Sequence, residues 1–211
     1  MNAETKSHEL VLFQVVKRSG FIYIDFNMFS KVPFTVVDIE TTGSRPGIDH
    51  IIEIGAVKVF DGKIRETFFT MVNPGRPIPR IITNITGIRD SHIADAPAFF
   101  EVARRLRAFL DSSIFVAHNA QFDYHFLNSE FRIFNHDPLT TPMVCTLKLA
   151  RKIFPGLRRY NLVDLCSSLG INLNNAHRAR HDAMATAHLL IKILKKIQVA
   201  RSQKSDTIQV L

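Results

Sequence analysis

The chain has 211 residues, 46% hydrophobic and 22% charged, ordinary proportions for a globular protein with enough chain to bury a substantial core. No apolar run approaches the roughly 20 residues that span a bilayer, and the mixed charge of MNAETKSHEL makes a poor signal peptide, so no membrane role and a cytoplasmic location are expected. A formal charge of +8 favours a polyanionic partner, and the two cysteines, Cys145 and Cys166, form neither a disulfide framework nor a cysteine zinc motif.

Residues 1–32 read as an N-terminal extension. Within it, LVLFQVV and FIYIDFNMF flank KRSG, a content that fits a hairpin or helices equally. A strand-rich section begins after Pro33. FTVVDIE (34–40) predicts a first strand, IIEIGAVKVF (51–60) a second, DGK a hairpin turn, and IRETFFTMV (64–72) a third. The Pro-rich NPGRPIPR then leads into IITNITGIRDSHIADAP, to which no element is assigned. AFFEVARRLRAFL (98–110) predicts a helix, with Phe100, Ala103, Leu106, Phe109 and Leu110 on one face and Arg104, Arg105 and Arg107 largely off it. SIFVAHN is a short buried strand, and AQFDYHFLNSEFRIF a helix. Three further helices are predicted over TLKLARKIF, NLVDLCSSLG, closed by Gly170, and HDAMATAHLLIKILKKIQ (181–198). Residues 199–211 lack pattern and are expected to form a mobile tail. A meander followed by alternating helices and strands predicts an α/β domain, a mixed sheet with helices on both faces and its site at the strand ends.

TVVDIETTG, at the end of the first strand, poses the chemical question. Strand side chains alternate, so Asp38 and Glu40 point to one side and Ile39 to the other. Two neighbouring carboxylates raise each other's pKa unless something intervenes. A basic residue, a shared proton and a bound metal are the candidates, and Arg45, the nearest basic residue, lies past a Gly-containing turn. A hard divalent ion suits an all-oxygen site; a solvated acidic strand end is the simpler alternative. Asp123 and Asp182 each sit near the start of a predicted helix, where acids also occur because they favour the positive end of the dipole.

Taken in order, D-x-E, then D, then H-x4-D is more specific. The segments VVDIETTG, AHNAQFDYHFL and HRARHDAMATA, with NITGIRD between the first two, resemble the DEDDh branch of the DnaQ-like 3′–5′ exonucleases, the family of bacterial polymerase III proofreading subunits. The resemblance covers Pro33 to Lys196 and implies an RNase H-like fold with a five-stranded sheet and an exonuclease domain over 33–198. It implies that Asp38, Glu40, Asp123 and Asp182 hold two divalent ions, Mg²⁺ or Mn²⁺, and that His177 is the general base. His181 is assigned to a solvent-facing position, His118 to hydrogen bonding at the strand-to-helix turn, and His188 to a structural or exposed one.

The resemblance also implies a pocket for the terminal nucleotide. Thr41, Thr42 and Gly43 would meet it, Ile85 and Thr86 would flank the base, and Phe122 would pack on sugar or base or else belong to the core. Arg158, Arg159, Arg178 and Arg180 are candidate phosphate contacts or a solvated face. Cys145 stands where many relatives have an acid, which leaves the metal ligands untouched. The implied activity is metal-dependent release of nucleoside 5′-monophosphates from single-stranded 3′ ends of DNA, with a DNA polymerase as a candidate partner. A 3′–5′ exoribonuclease would use the same five residues, and an inactive nucleic-acid-binding module would not need them.

Overall fold

The computed structural model describes residues 32–208, with side chains through residue 200. The expected extension over 1–32 therefore lies almost wholly outside the described residues. Five strands form one mixed sheet: β1 (Phe34–Thr41), β2 (Ile51–Phe60), β3 (Lys63–Met71), β4 (Ile114–Ala117) and β5 (Met143–Cys145). Their spatial order is β3-β2-β1-β4-β5. β1, β2 and β3 pair antiparallel, while β4 joins β1, and β5 joins β4, in parallel. The β1–β4 ladder ends at Val36 paired with Val116. Beyond it β1 runs on alone on that side, so Asp38 and Glu40 stand over the crevice that opens outside the carboxyl ends of parallel strands.

The helices are α1 (Arg80–Thr86), α2 (Asp90–Ile93), α3 (Phe99–Leu110), α4 (Gln121–Ile133), α5 (Thr146–Ile153), α6 (Leu162–Leu169) and α7 (Ala179–Ile208). They cover both faces, as expected. Val37 and Ile39 of β1 bury against Val102 and Leu106 of α3 and Phe126 and Phe131 of α4. Phe34 and Val36, of opposite parity, bury against Ala183, Ala187 and Leu190 of α7. Asp38 and Glu40 share the parity of Phe34 and Val36 and so face α7. The alanines of α7 keep that helix close to the sheet, and its other side packs on α5 and α6 through Ala185, Leu189 and Ile193.

The sequence pattern locates the long elements to within a residue or two, but Phe100, expected on the apolar face of α3, is 58% exposed, because Phe99 and Val102 take the buried positions beside Ala103 and Leu106. It misses β5, three residues behind Pro142 and too short to show a period, and the short helices α1 and α2. The last helix begins at Ala179, two residues earlier than expected, and its backbone stays helical to Ile208, past residue 199 where a tail was expected.

Candidate active site

Three carboxylates meet where β1 faces the first turn of α7. One oxygen each from Asp38, Glu40 and Asp182 lie within 4.8 Å of one another. Asp123, in the first turn of α4 and 4% exposed, stands outside that set, but its charge acts on Asp38 and Glu40.

Two residues of β2 bring α7 to this place, and neither was singled out from the sequence. Gly55 pairs with Asp38 across the antiparallel ladder. A Cβ on Gly55 would lie 2.1 Å from the carbonyl oxygen of Ala179, so the bare backbone lets the start of α7 rest directly on the sheet. Glu53 pairs with Glu40 and is 5% exposed. Its carboxylate accepts from Arg178 Nε at 3.1 Å and Nη2 at 2.9 Å, and from the backbone N–H of Ala179 at 2.8 Å. Both carried a readable signal. Glu53 is an acid in a strand whose first seven residues are otherwise uncharged and apolar, the same anomaly that exposes Asp38 and Glu40, and Gly55 is an isolated glycine in a strand.

The site holds protons when no cation is present. Burial, reinforced by Asp123, Asp182, Glu40 and Glu53, pushes the Asp38 carboxyl well above its usual range. Burial and the charge of Asp182 raise Glu40 from 4.5 to about 8. Burial raises Asp123 from 3.8 to about 8, partly offset by backbone N–H groups, one of them at Ile39. Asp182 is also raised by burial, against the opposing hydrogen bond from His177. Asp182 Oδ1 is buried with no hydrogen-bond partner. The nearby guanidinium groups do not resolve the repulsion: Arg45 is exposed and pairs with Asp49 at 3.6 Å, and Arg178 is committed to Glu53. An orphaned carboxylate oxygen among oxygen-only donors that resist ionisation fits a hard divalent cation.

A pH dependence follows from these shifts. In the fold Glu40 and Asp123 keep protons up to about pH 8 that the unfolded chain releases near 4.5 and 3.8, and Asp38 and Asp182 are raised in the same direction. The stability this gives is complete below the lower value and is lost as pH rises through the upper one. A bound dication must displace the same protons. The rise in melting temperature on adding saturating Mg²⁺ is therefore expected to grow from pH 5.5 to 8.5. A rise independent of pH, read by differential scanning fluorimetry, would contradict the assignment.

His177 precedes α7 with φ of +65°, a left-handed conformation uncommon outside glycine and asparagine. Its backbone N–H donates to Asp182 Oδ2 at 3.0 Å, which leaves Oδ1 as the unpartnered oxygen. The exposed imidazole lies close enough to draw down the Asp182 carboxyl. His181 is half-buried rather than solvent-facing, and its Nδ1 is 3.4 Å from the Asn175 carbonyl. His118 meets its expectation: Nε2–H donates to the Tyr160 carbonyl at 2.9 Å, and Nδ1 lies 3.0 Å from the Thr146 hydroxyl. Burial lowers its pKa, so the neutral ring fits a hydrogen-bonding role. His188 is exposed.

The expected nucleotide contacts divide. Thr41 and Thr42 are buried and build the loop itself: the Thr41 hydroxyl donates to the Gly43 carbonyl, and Thr42 Oγ1 accepts the His50 N–H at 2.9 Å. A side chain on Gly43 would collide with the Asp49 carboxylate at 2.5 Å. Phe122 is half-buried, its ring centroid 4.8 Å from that of Phe126. Ile85 is exposed on α1. Thr86 is buried, and its hydroxyl both donates to the Ile82 carbonyl and accepts the Ile88 N–H, so it caps α1 and has no donor left for a base. Arg158, Arg159 and Arg180 are exposed, the last stacked over Phe69 at 5.0 Å.

Residues 35–190 match the model of the family described as exonuclease, the RNase T group. The DNA polymerase III subunit epsilon of Aquifex aeolicus is 38% identical over 164 residues, 78% of this chain and 81% of that protein. The PolC-type DNA polymerase III of Bacillus subtilis is 40% identical over 163 residues, 77% of this chain but 11% of that protein, so the chain spans only about a ninth of this longer relative. Exonuclease X, solved in complex with 5′ overhanging duplex DNA, superposes with a TM-score of 0.63 at 32% identity, covering 77% of this chain and 91% of that one. Escherichia coli exonuclease I, solved with a dT13 oligonucleotide, gives 0.73 at 18% identity over 82% and 43% of the two chains, a likeness of fold. The fold is RNase H-like. Among the described residues no helix is long and apolar enough to cross a membrane.

Proposed function

Because the chain belongs to the exonuclease family whose model spans residues 35–190, we propose that it is a metal-dependent 3′–5′ exonuclease that removes nucleoside 5′-monophosphates from single-stranded 3′ ends of DNA. The observation that carries this reading is the orphaned, buried Asp182 Oδ1 beside Asp38 and Glu40, three oxygen ligands within 4.8 Å. Residues 33–198 make up the catalytic domain.

Asp38, Glu40, Asp123 and Asp182 hold two divalent ions, Mg²⁺ or Mn²⁺. When bound, these supply Lewis-acid polarisation of the phosphate and a lowered pKa for water. The protein's own part is positional and acid–base. A ring nitrogen of His177 takes the proton of the attacking water, whose oxygen bonds to phosphorus as the P–O3′ bond breaks. The leaving O3′ takes a proton and becomes the 3′ hydroxyl of the shortened strand. Exposure suits His177 to pass its proton on to solvent. The Thr41–Gly43 turn presents backbone rather than hydroxyls to the terminal nucleotide, with Ile85 and Phe122 as its apolar neighbours. DNA is favoured over RNA because the epsilon relative matches over most of its length and exonuclease X was solved on DNA. The polymerase III relatives likewise support a DNA polymerase as partner.

His177→Ala is expected to lower the single-turnover rate by roughly 10²–10⁴-fold, the usual scale for a general base. Release of mononucleotide from single-stranded DNA at pH 8 in Mg²⁺ measures it. A near-normal rate would remove His177 from the role.

A further inference from the structure

We propose that Glu53 and Arg178 form a positioning clamp that holds His177 over the acidic cluster, acting on the reaction through His177 rather than by touching substrate. The proposal rests on His177 as general base.

An exposed imidazole on a left-handed residue needs something to hold it. Asn175, two residues earlier, is also left-handed, at φ +56°, so the segment entering α7 has no regular backbone to brace it. Two carboxylates do so instead, on three successive residues. Asp182 Oδ2 takes the N–H of His177, and Glu53 takes the guanidinium of Arg178 and the N–H of Ala179. Glu53 stands opposite Glu40 in the β1–β2 ladder. The clamp therefore ties His177 to the same pair of strands that carries Asp38 and Glu40, and fixes base and acids in one frame.

The same geometry argues against Arg178 as a phosphate contact. The Nε–Nη2 edge of its guanidinium is consumed by Glu53, and Nη2 also lies 3.9 Å from Met71 Sδ. Glu53 in turn is buried and depends on this partner: removing one member leaves the other charge uncompensated. A planar fork gripping a carboxylate through two bonds restricts both side chains more than a lysine would.

The test is single-turnover hydrolysis of 5′-labelled single-stranded DNA by the full chain at pH 8 in Mg²⁺, over a range of DNA and salt concentrations. Glu53→Gln and Arg178→Met are made in the wild-type chain and in His177→Ala. Each single variant is expected to slow the maximal rate by roughly 10–10²-fold, the scale of an angstrom of misplacement. The half-saturating DNA concentration should stay within about twofold and its salt dependence should not change, unlike the loss of a phosphate contact. In His177→Ala the further loss from either substitution should be several-fold smaller than in the wild-type chain, since only the seat of α7 is then left to disturb. Arg178→Lys keeps the charge but not the fork, and carries the test should Glu53→Gln fail to fold; its loss should be partial and should likewise shrink without His177. Weaker DNA binding with a shallower salt dependence would make Arg178 a phosphate contact and overturn the clamp. So would unchanged rates, or a full further loss in His177→Ala. If His177→Ala alone slows the reaction while the clamp variants do not, the base stands and the clamp falls; if His177→Ala turns over normally, the base itself falls.

Discussion

Asp182→Ala will abolish phosphodiester hydrolysis and leave a folded protein. Asp182 is the one acid of the site whose two oxygens have visibly separate tasks. Oδ2 accepts the N–H of His177, and Oδ1 is buried without a partner. A buried unpartnered carboxylate oxygen is costly and persists where something else compensates it. The substitution removes an oxygen from the set formed with Asp38 and Glu40, and with it the cation site. Stability should suffer little. Burial makes ionised Asp182 unfavourable in the fold, so the loss of its hydrogen bond to His177 is offset by relief of repulsion among the remaining acids. With chelator at pH 8 the variant should melt within a few degrees of the parent, and Mg²⁺ should no longer raise its melting temperature. Hydrolysis at the parental rate, or an undiminished thermal response to Mg²⁺, would remove Asp182 from the metal site.

Gly55→Ala will cost activity by roughly 10²-fold or more, although Gly55 contributes no side chain to the chemistry. Its new Cβ would sit 2.1 Å from the Ala179 oxygen, 2.4 Å from the Ala179 carbon and 2.9 Å from the Arg180 nitrogen. These are backbone atoms and cannot rotate away. Carbon makes comfortable contact at about 3.5 Å or more, so α7 must retreat by on the order of 1 Å. That displacement carries Asp182 from Asp38 and Glu40 and strains the grip of Glu53 on Arg178 and Ala179. A shift of this size at a reacting centre costs about 10²-fold. Overpacking should also cost about 1–3 kcal/mol of stability, seen as a lower melting temperature. A wild-type rate in Gly55→Ala would mean that the seat of α7 on β2 does not set the geometry of the site.

These two residues mark what was and was not legible in the sequence. Asp38 and Glu40 were visible because two acids broke an apolar strand, and strand parity already placed them on one side. Asp123, His177 and Asp182 were visible only as members of an ordered set, since each alone fits an ordinary helix start. The five-stranded sheet came from the resemblance; its fifth strand, of three residues, has no period of its own. Gly55 and Glu53 act across the sheet, through the β1–β2 register and the approach of a helix more than 120 residues away. Their irregularity in the strand was readable, but their partners were not. Thr86 illustrates the converse: a residue type suited to binding is spent on closing its own helix.

The most direct test of the central claim is a product ladder. Purified protein is incubated with 5′-labelled single-stranded DNA, and with RNA of the same sequence, in Mg²⁺, in Mn²⁺ and in chelator, beside Asp182→Ala. The expected result is stepwise shortening of DNA from its 3′ end, faster than that of RNA, absent in chelator and absent in the variant. Faster shortening of RNA would move the substrate to the exoribonuclease side. Shortening that survives chelation and the loss of Asp182, or none at all from folded protein with metal, would contradict a metal-dependent 3′–5′ exonuclease built on Asp38, Glu40, Asp123 and Asp182.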